Sequence, residues 1–231
     1  MRHHAPRASF EQLSAADSPP MGIAVAAGAE LYSFGRWSSG VAWSTIKVPL
    51  AIAALRNDRP RAIDLATEAI VESDNPAAEH LWTQLGAPPD AAQKVRAILV
   101  DSGDTDTVVE SRRLREGFTP FGQTHWSLSR QAQFAARLPD LEGADPVLEL
   151  MRNLTPTHRW GLAAKGAAAK GGWGPGTDGS YLVRQFAVVP TSSGHAGVAM
   201  AAQADSFETG IDAVNAMADW LAGHLPTLTE Q

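Results

Sequence analysis

A serine stands three residues before a lysine in Ser44-Thr45-Ile46-Lys47, with the apolar run Val48 to Leu55 directly behind them. On a helix, residues three apart are neighbours, so the Ser44 hydroxyl and the Lys47 amine can meet. A serine hydroxyl is a weak nucleophile until a base takes its proton. A lysine serves as that base only where burial or a second cation lowers its pKa. The apolar run offers the burial, and Lys170 offers the second cation. Backbone N–H groups at a helix start beside Ser44 would stabilise negative charge growing on a carbonyl oxygen. Lysine is scarce in this chain, occurring only at 47, 94, 165 and 170. One inside an apolar helix is unfavourable unless it has a partner or a task.

Other chemistries lack their parts. The chain has no cysteine, which excludes disulfides, thiol catalysis and thiolate metal sites. The histidines show no ligand spacing, so no metal or other cofactor is expected. His80, His125, His158 and His195 read as isolated surface or hydrogen-bonded residues. There is no G-x-S-x-G elbow and no phosphate-binding loop ending in Gly-Lys-Ser/Thr. A net charge of −6 argues against a nucleic-acid partner. The longest apolar runs are too short to span a bilayer. Met1 to Arg7 has no apolar stretch of the kind an export signal needs. The partner expected is a small molecule or a peptide, and the expected state is a monomer.

The elements that must hold these residues follow from pattern. With 231 residues, 44% hydrophobic and 19% charged, the chain can bury a sizeable core. Phe10 to Ala16 reads as a helix. Met21 to Ala27 and Glu30 to Trp37 read as a hairpin around Gly28, and Ser38-Ser39-Gly40 as a turn. Pro49 predicts a tight or irregular first turn after Ser44, with regular helix beyond it. Asn57 to Pro60 ends that helix. Further helices are expected at 62–71, 77–85, 91–100, 127–138 and 146–154, with Ser127 or Ser129 as a cap. Residues 101–121 read as a long polar loop, and loops of that length are often functional. Gly166 to Gly179 is rich in glycine and alanine. Tyr181 to Val189 and Ala196 to Gln203 read as strands, and Ile211 to Leu225 as an amphipathic helix. The expected fold class is α+β: one antiparallel sheet backed by terminal helices, with an all-helical lobe inserted. The sheet lobe is expected from 1–42 and 160–231, and the helical lobe from 43–159.

Two further short motifs lie downstream of Ser44 and Lys47. Ser73-Asp74-Asn75 precedes Pro76, and alone it reads equally well as a helix start, where all three types are favoured caps. Lys170-Gly171-Gly172 alone reads equally well as a loop. In this order, and in these contexts, the three motifs resemble the S-x-x-K, S-D-N and K-T-G set of class A β-lactamases and penicillin-binding proteins. The resemblance runs from about Met21 to Leu225. It implies acylation of Ser44 by a β-lactam or a D-alanyl-type amide, with Lys47 as proton acceptor and Ser73 as proton relay. Asn75 would bind the substrate's amide or orient Lys47. Lys170 would add positive charge near Ser73 and attract a substrate carboxylate. Gly172 would line the substrate cleft, and the N–H groups of Ser44 and Trp173 would form the oxyanion hole. The resemblance also implies an exported or periplasmic protein.

Departures from that pattern are as informative. Gly171 replaces the threonine whose hydroxyl helps hold a substrate carboxylate. The interval from Ser44 to Ser73 is short, implying a more open cleft. The E-x-x-L-N loop that supplies the deacylating glutamate is missing, and Glu110 and Glu116 are the nearest substitutes in position. Acylation could then outlast deacylation. A binding or sensor protein without turnover, and an esterase or amidase using the same serine, are the alternative readings.

Overall fold

A computed structural model describes residues 4–229. Met1 to His3, part of the stretch read for an export signal, lie outside the described residues, as do Glu230 and Gln231. Helix α1 is His4–Leu13, starting earlier than its apolar pattern predicts. Strands β1 (Met21–Ala27) and β2 (Glu30–Gly35) form the expected hairpin. Strands β5 (Ala168–Pro175), β6 (Tyr181–Thr191) and β7 (Gly194–Ala204) complete one antiparallel sheet in the order β2-β1-β7-β6-β5. Helix α7 (Phe207–Thr229) packs against this sheet, with α1 beside it. The α+β class and the antiparallel sheet backed by terminal helices are therefore as expected.

Between β2 and β5 the chain is mainly helical: α2 (Lys47–Val71), α3 (Asn75–Gln84), α4 (Pro88–Asp101), α5 (Leu128–Arg137) and α6 (Asp145–Arg152). From Lys47 to Leu55 every residue of α2 is buried. A helix apolar on all sides belongs in the middle of its lobe, which is why Lys47 is carried inside. Trp43–Ile46 forms a 3₁₀ turn before α2, the tight start that Pro49 predicts. Pro49 then sits in the first α-turn, where a missing N–H is harmless. Asp58 breaks from helical geometry (φ −159°, ψ 87°) two residues before Pro60, so α2 kinks where the sequence predicts an end.

Three elements correct the sequence reading. The stretch read as a turn at Ser38-Ser39-Gly40 contains strand β3 (Ser39–Val41). It pairs with β4 (His125–Ser127), a strand inside the segment expected to be wholly helical. Third, Lys170-Gly171-Gly172, which alone reads equally well as a loop, lies within a strand, β5, ahead of β6 and β7. Glycine disfavours strands, so the pattern hid it.

Helix α5 also lies directly on the sheet. A Cβ built on Gly197 of β7 would lie 2.0 Å from the Ala132 carbonyl oxygen and 2.2 Å from the Ala136 nitrogen. Ser127 caps this helix by accepting from the Arg130 N–H at 3.2 Å. Trp126, Phe134 and Phe186 form an aromatic cluster at 5.3–6.0 Å between ring centres, locking α5 to β6. Arg184, also on β6, is fully buried and donates to the carbonyls of Gly40, Val41 and Trp126 and to Gln131. It ties β3 and β4 to the main sheet, and β3 leads directly into Ser44. Gly197→Ala should therefore lower stability by about 1–3 kcal/mol, because backbone cannot yield as a side chain does. Urea unfolding should show a lower midpoint with an unchanged slope, whereas an unmoved midpoint would contradict the close α5–β7 contact.

Candidate active site

The 3₁₀ turn places Ser44 at a helix start beside the sheet edge. Residues three apart in a 3₁₀ turn stand one above the other, so the Lys47 stem rises on the Ser44 side. Trp43, just before the serine, has φ 50°, the left-handed region that side chains disfavour. Ser73 has the same kind of strain, with φ 54°. Such strain collects where geometry is imposed for function. Asp74, not Ser73, caps α3, accepting from the Ala77 N–H at 2.7 Å. The Ser73 side chain is thereby left for other work.

A cavity of about 140 Å³ is lined by Trp43, Ser44, Lys47, Ser73, Asn75 and Trp173. Gly117, Phe118, Thr119, Phe121 and Gly122 complete its lining. The Lys47 Nζ donates to the Ser73 carbonyl (2.6 Å), the Asn75 Oδ1 (2.8 Å) and the Ser73 Oγ (3.2 Å). Lys170 Nζ donates to the same Ser73 Oγ at 3.0 Å and to the Gly171 carbonyl at 2.9 Å. Both amines thus meet on one hydroxyl, although their residues are 123 positions apart in the chain. That hydroxyl has two lone pairs, both now taken, so its own proton is free to be donated into the cavity.

Each lysine is 1% exposed. Burial lowers the Lys47 pKa to about 7, with the Asp74 charge pulling it partly back. Burial, then the Lys47 charge, drives Lys170 well below its ordinary value. The three acceptors around Lys47 suit an ammonium. With its pKa about 7, a large share of molecules at neutral pH lack one of those protons and carry a lone pair instead. No hydrogen bond joins the Ser44 hydroxyl to any described residue, so the direct Ser44–Lys47 bond that the spacing allows is not formed here. The amine reaches across to Ser73 and Asn75.

Strand β5 runs past the serine. A Cβ built on Gly172 would lie 2.8 Å from the Ser44 nitrogen and 2.8 Å from the Ala42 carbonyl oxygen. One on Gly174 would strike the Trp43 ring at 2.4 Å. These glycines are what allow the sheet edge to touch the serine turn. The Ser44 N–H lies in the first turn of its helix, where N–H groups have no partner within the helix.

Several neighbours escaped the sequence reading. His158, read as an isolated histidine, packs its ring 5.0 Å from that of Trp173. Its pKa is lowered by burial and by the charges of Lys170 and Lys47, with Glu72 opposing. Phe118 packs 5.2 Å from Trp43, and Arg115 stacks over Phe118 at 4.5 Å while donating to the Pro175 carbonyl at 2.8 Å. Nothing in the local sequence marks these as cleft residues, because a loop that is irregular has no period to read. Glu110 and Glu116 do not line the cavity. The Glu110 carboxylate accepts from Arg112 at 2.8 Å and 3.1 Å, and this holds it below its usual pKa. Among the described lining residues none is acidic. A larger cavity of about 460 Å³ shares Trp43 but is lined by neither lysine nor Ser44, so the candidate site is the smaller one.

The Lys47 ammonium should titrate with a midpoint of about 7, read by NMR of a ¹³C-methylated sample. Asp74→Asn keeps the helix cap but removes the opposing charge, so the midpoint should fall further. A midpoint near 10.5, the ordinary lysine value, would contradict the burial that the structure gives Lys47.

No protein-family model and no curated protein matches the sequence. Solved structures do match in fold. A class A β-lactamase from Bacteroides cellulosilyticus DSM 14838 aligns over 100% of this chain and 99% of its own, with a TM-score of 0.79 and 13% identity. TLA-3 extended-spectrum β-lactamase aligns over 94% of this chain and 98% of its own, at TM-score 0.74 and 13% identity. The putative class A β-lactamase PenP from Rhodopseudomonas palustris gives 95% and 99%, TM-score 0.71 and 19% identity. The chain thus shares the α+β fold of these class A β-lactamases, the fold that the resemblance of its three motifs implies.

Proposed function

We propose that this protein is a serine acyl-transfer hydrolase, acylated on Ser44 by a β-lactam or a D-alanyl-type amide. The observation that carries the reading is the meeting of two buried amines on the Ser73 hydroxyl, in the cavity that Ser44 lines. Neutral Lys47 takes the Ser44 proton as Oγ attacks the carbonyl carbon. The oxyanion that forms lies between the N–H groups of Ser44 and Trp173, where fixed donors act without reorganising. Ser73 passes a proton to the departing nitrogen and is resupplied from the lysines. The C–N bond breaks, and an ester on Ser44 remains. Asn75 fixes the Lys47 amine from one side, and burial keeps that amine from holding its proton tightly.

Hydrolysis of that ester needs a base for water. Glu110 is bound by Arg112 and stands outside the cavity, so Lys47 is the base left for this step. A single amine serving both steps favours an acyl-enzyme that forms faster than it decays.

Incubation with benzylpenicillin should add one intact penicillin mass to Ser44, and the adduct should persist after excess drug is removed. The rate should fall as pH drops below about 7, because protonated Lys47 cannot accept a proton. Lys47→Ala should slow acylation by about 10²–10⁴-fold, the range for loss of a positioned base. Parental rates in Lys47→Ala would overturn its assigned role, and an adduct that survives Ser44→Ala would overturn the nucleophile.

A further inference from the structure

Gly171 stands where the resemblance expects a hydroxyl for a substrate carboxylate, and its surroundings admit no side chain. A Cβ built there would lie 2.7 Å and 2.8 Å from ring atoms of Trp160 and 3.5 Å from the Trp173 ring. Trp160 is itself 6% exposed, and its carbonyl accepts from the Gln185 amide at 2.8 Å. The position of a carboxylate hook is thus filled by indole held in the core.

The nearby cations are committed elsewhere. Lys170 and Lys47 are buried, and their protons are directed to Ser73, Asn75 and Gly171. Arg184 turns to the carbonyls of β3 and β4. Arg115 donates to Pro175 and lies over the rings of Phe118 and Trp43. Beside the hydroxyls of Ser44, Ser73 and Thr119, the cavity is bordered by four aromatic rings: Trp43, Phe118, Phe121 and Trp173. Burial also pushes Lys47, Lys170 and His158 toward their neutral forms.

We infer that the Ser44 cleft does not select for a carboxylate on the leaving side of its acyl donor, so that lactams or esters uncharged around the scissile bond react at least as fast as the corresponding acids. This rests on the acyl-transfer reading above and narrows it. In either substrate form Ser44 Oγ gains the acyl carbon. The C–N or C–O bond breaks, and the serine proton leaves on that nitrogen or oxygen. A carboxylate on the leaving side takes no part in these bond changes, and the described groups nearest a side chain at position 171 are the rings of Trp160 and Trp173, neither a cation nor a hydroxyl.

The test uses the wild-type chain at pH 8, with benzylpenicillin against its methyl ester, and 3-acetoxybenzoic acid against its methyl ester. Adduct formation on Ser44 is followed by intact mass, and acetyl transfer by release of the phenol. The neutral member of each pair should react at least as fast as the acid. A site with a carboxylate hook loses about tenfold or more when the acid is masked, the value of one charge-assisted hydrogen bond. An acid faster than its ester by that factor in either pair overturns the inference and leaves the acyl-transfer reading intact. If both penicillins are inert, the lactam part of that reading fails, and the acetoxybenzoate pair still decides the inference. No reaction with any of the four overturns both.

Discussion

The site depends on placing two lysines in a dry interior, side by side. An amine removed from water favours its neutral form, and a neighbouring amine strengthens that preference. Lys47 enters the core because the helix it begins is apolar on every side. Lys170 enters because β5 is the sheet edge that abuts that helix start. The unfolded chain holds a proton on Lys47 up to the ordinary value of 10.5, while the folded chain has released it by about 7. Folding is therefore opposed by this group at low pH, and the penalty shrinks as pH rises between those values. In the proposed reading, that lost stability is what keeps a base in the site.

Close approach is the second constraint, and it is set by what is missing. Gly172 and Gly174 have no side chains, so β5 can lie against the backbone of Ala42 and Ser44 and the ring of Trp43. Any larger residue would lift the sheet away from the serine. The strain at Trp43 and Ser73 fits the same picture, since both lie where the chain is turned to aim a functional group. The loop from Ser102 to Thr124 closes the far side. Buried Asp104 pins it by accepting from Thr107 and the Trp126 indole, and Arg115 joins it to the end of β5.

Much of this was legible in the sequence. The Ser44–Lys47 spacing, the irregular turn forced by Pro49 and the apolar helix behind it are local facts, and they survive folding. The ordered motifs implied the fold. Strand β5 was not legible, because its glycines answer to packing against residues 130 positions away rather than to strand propensity. The short strands β3 and β4 were hidden for a related reason: three residues give no alternation to read. His158 and Phe118 became visible only when the loops around them were folded. The Lys47 amine also departed from the expected direct contact with Ser44, since Ser73 and Asn75 offer it three acceptors that the helix spacing alone does not reveal.

The central claim is that one hydroxyl, two amines and two backbone N–H groups converge on a single reacting carbonyl. A crystal structure with a neutral arylboronic acid tests it most directly, because boron forms a tetrahedral adduct shaped like the attacked carbonyl. The account predicts a bond from boron to Ser44 Oγ, one boron oxygen between the N–H groups of Ser44 and Trp173, and another within hydrogen-bond reach of Ser73 Oγ. A boronate bound elsewhere, or bonded to Ser44 with its oxygens turned away from both N–H groups and from Ser73, would contradict it.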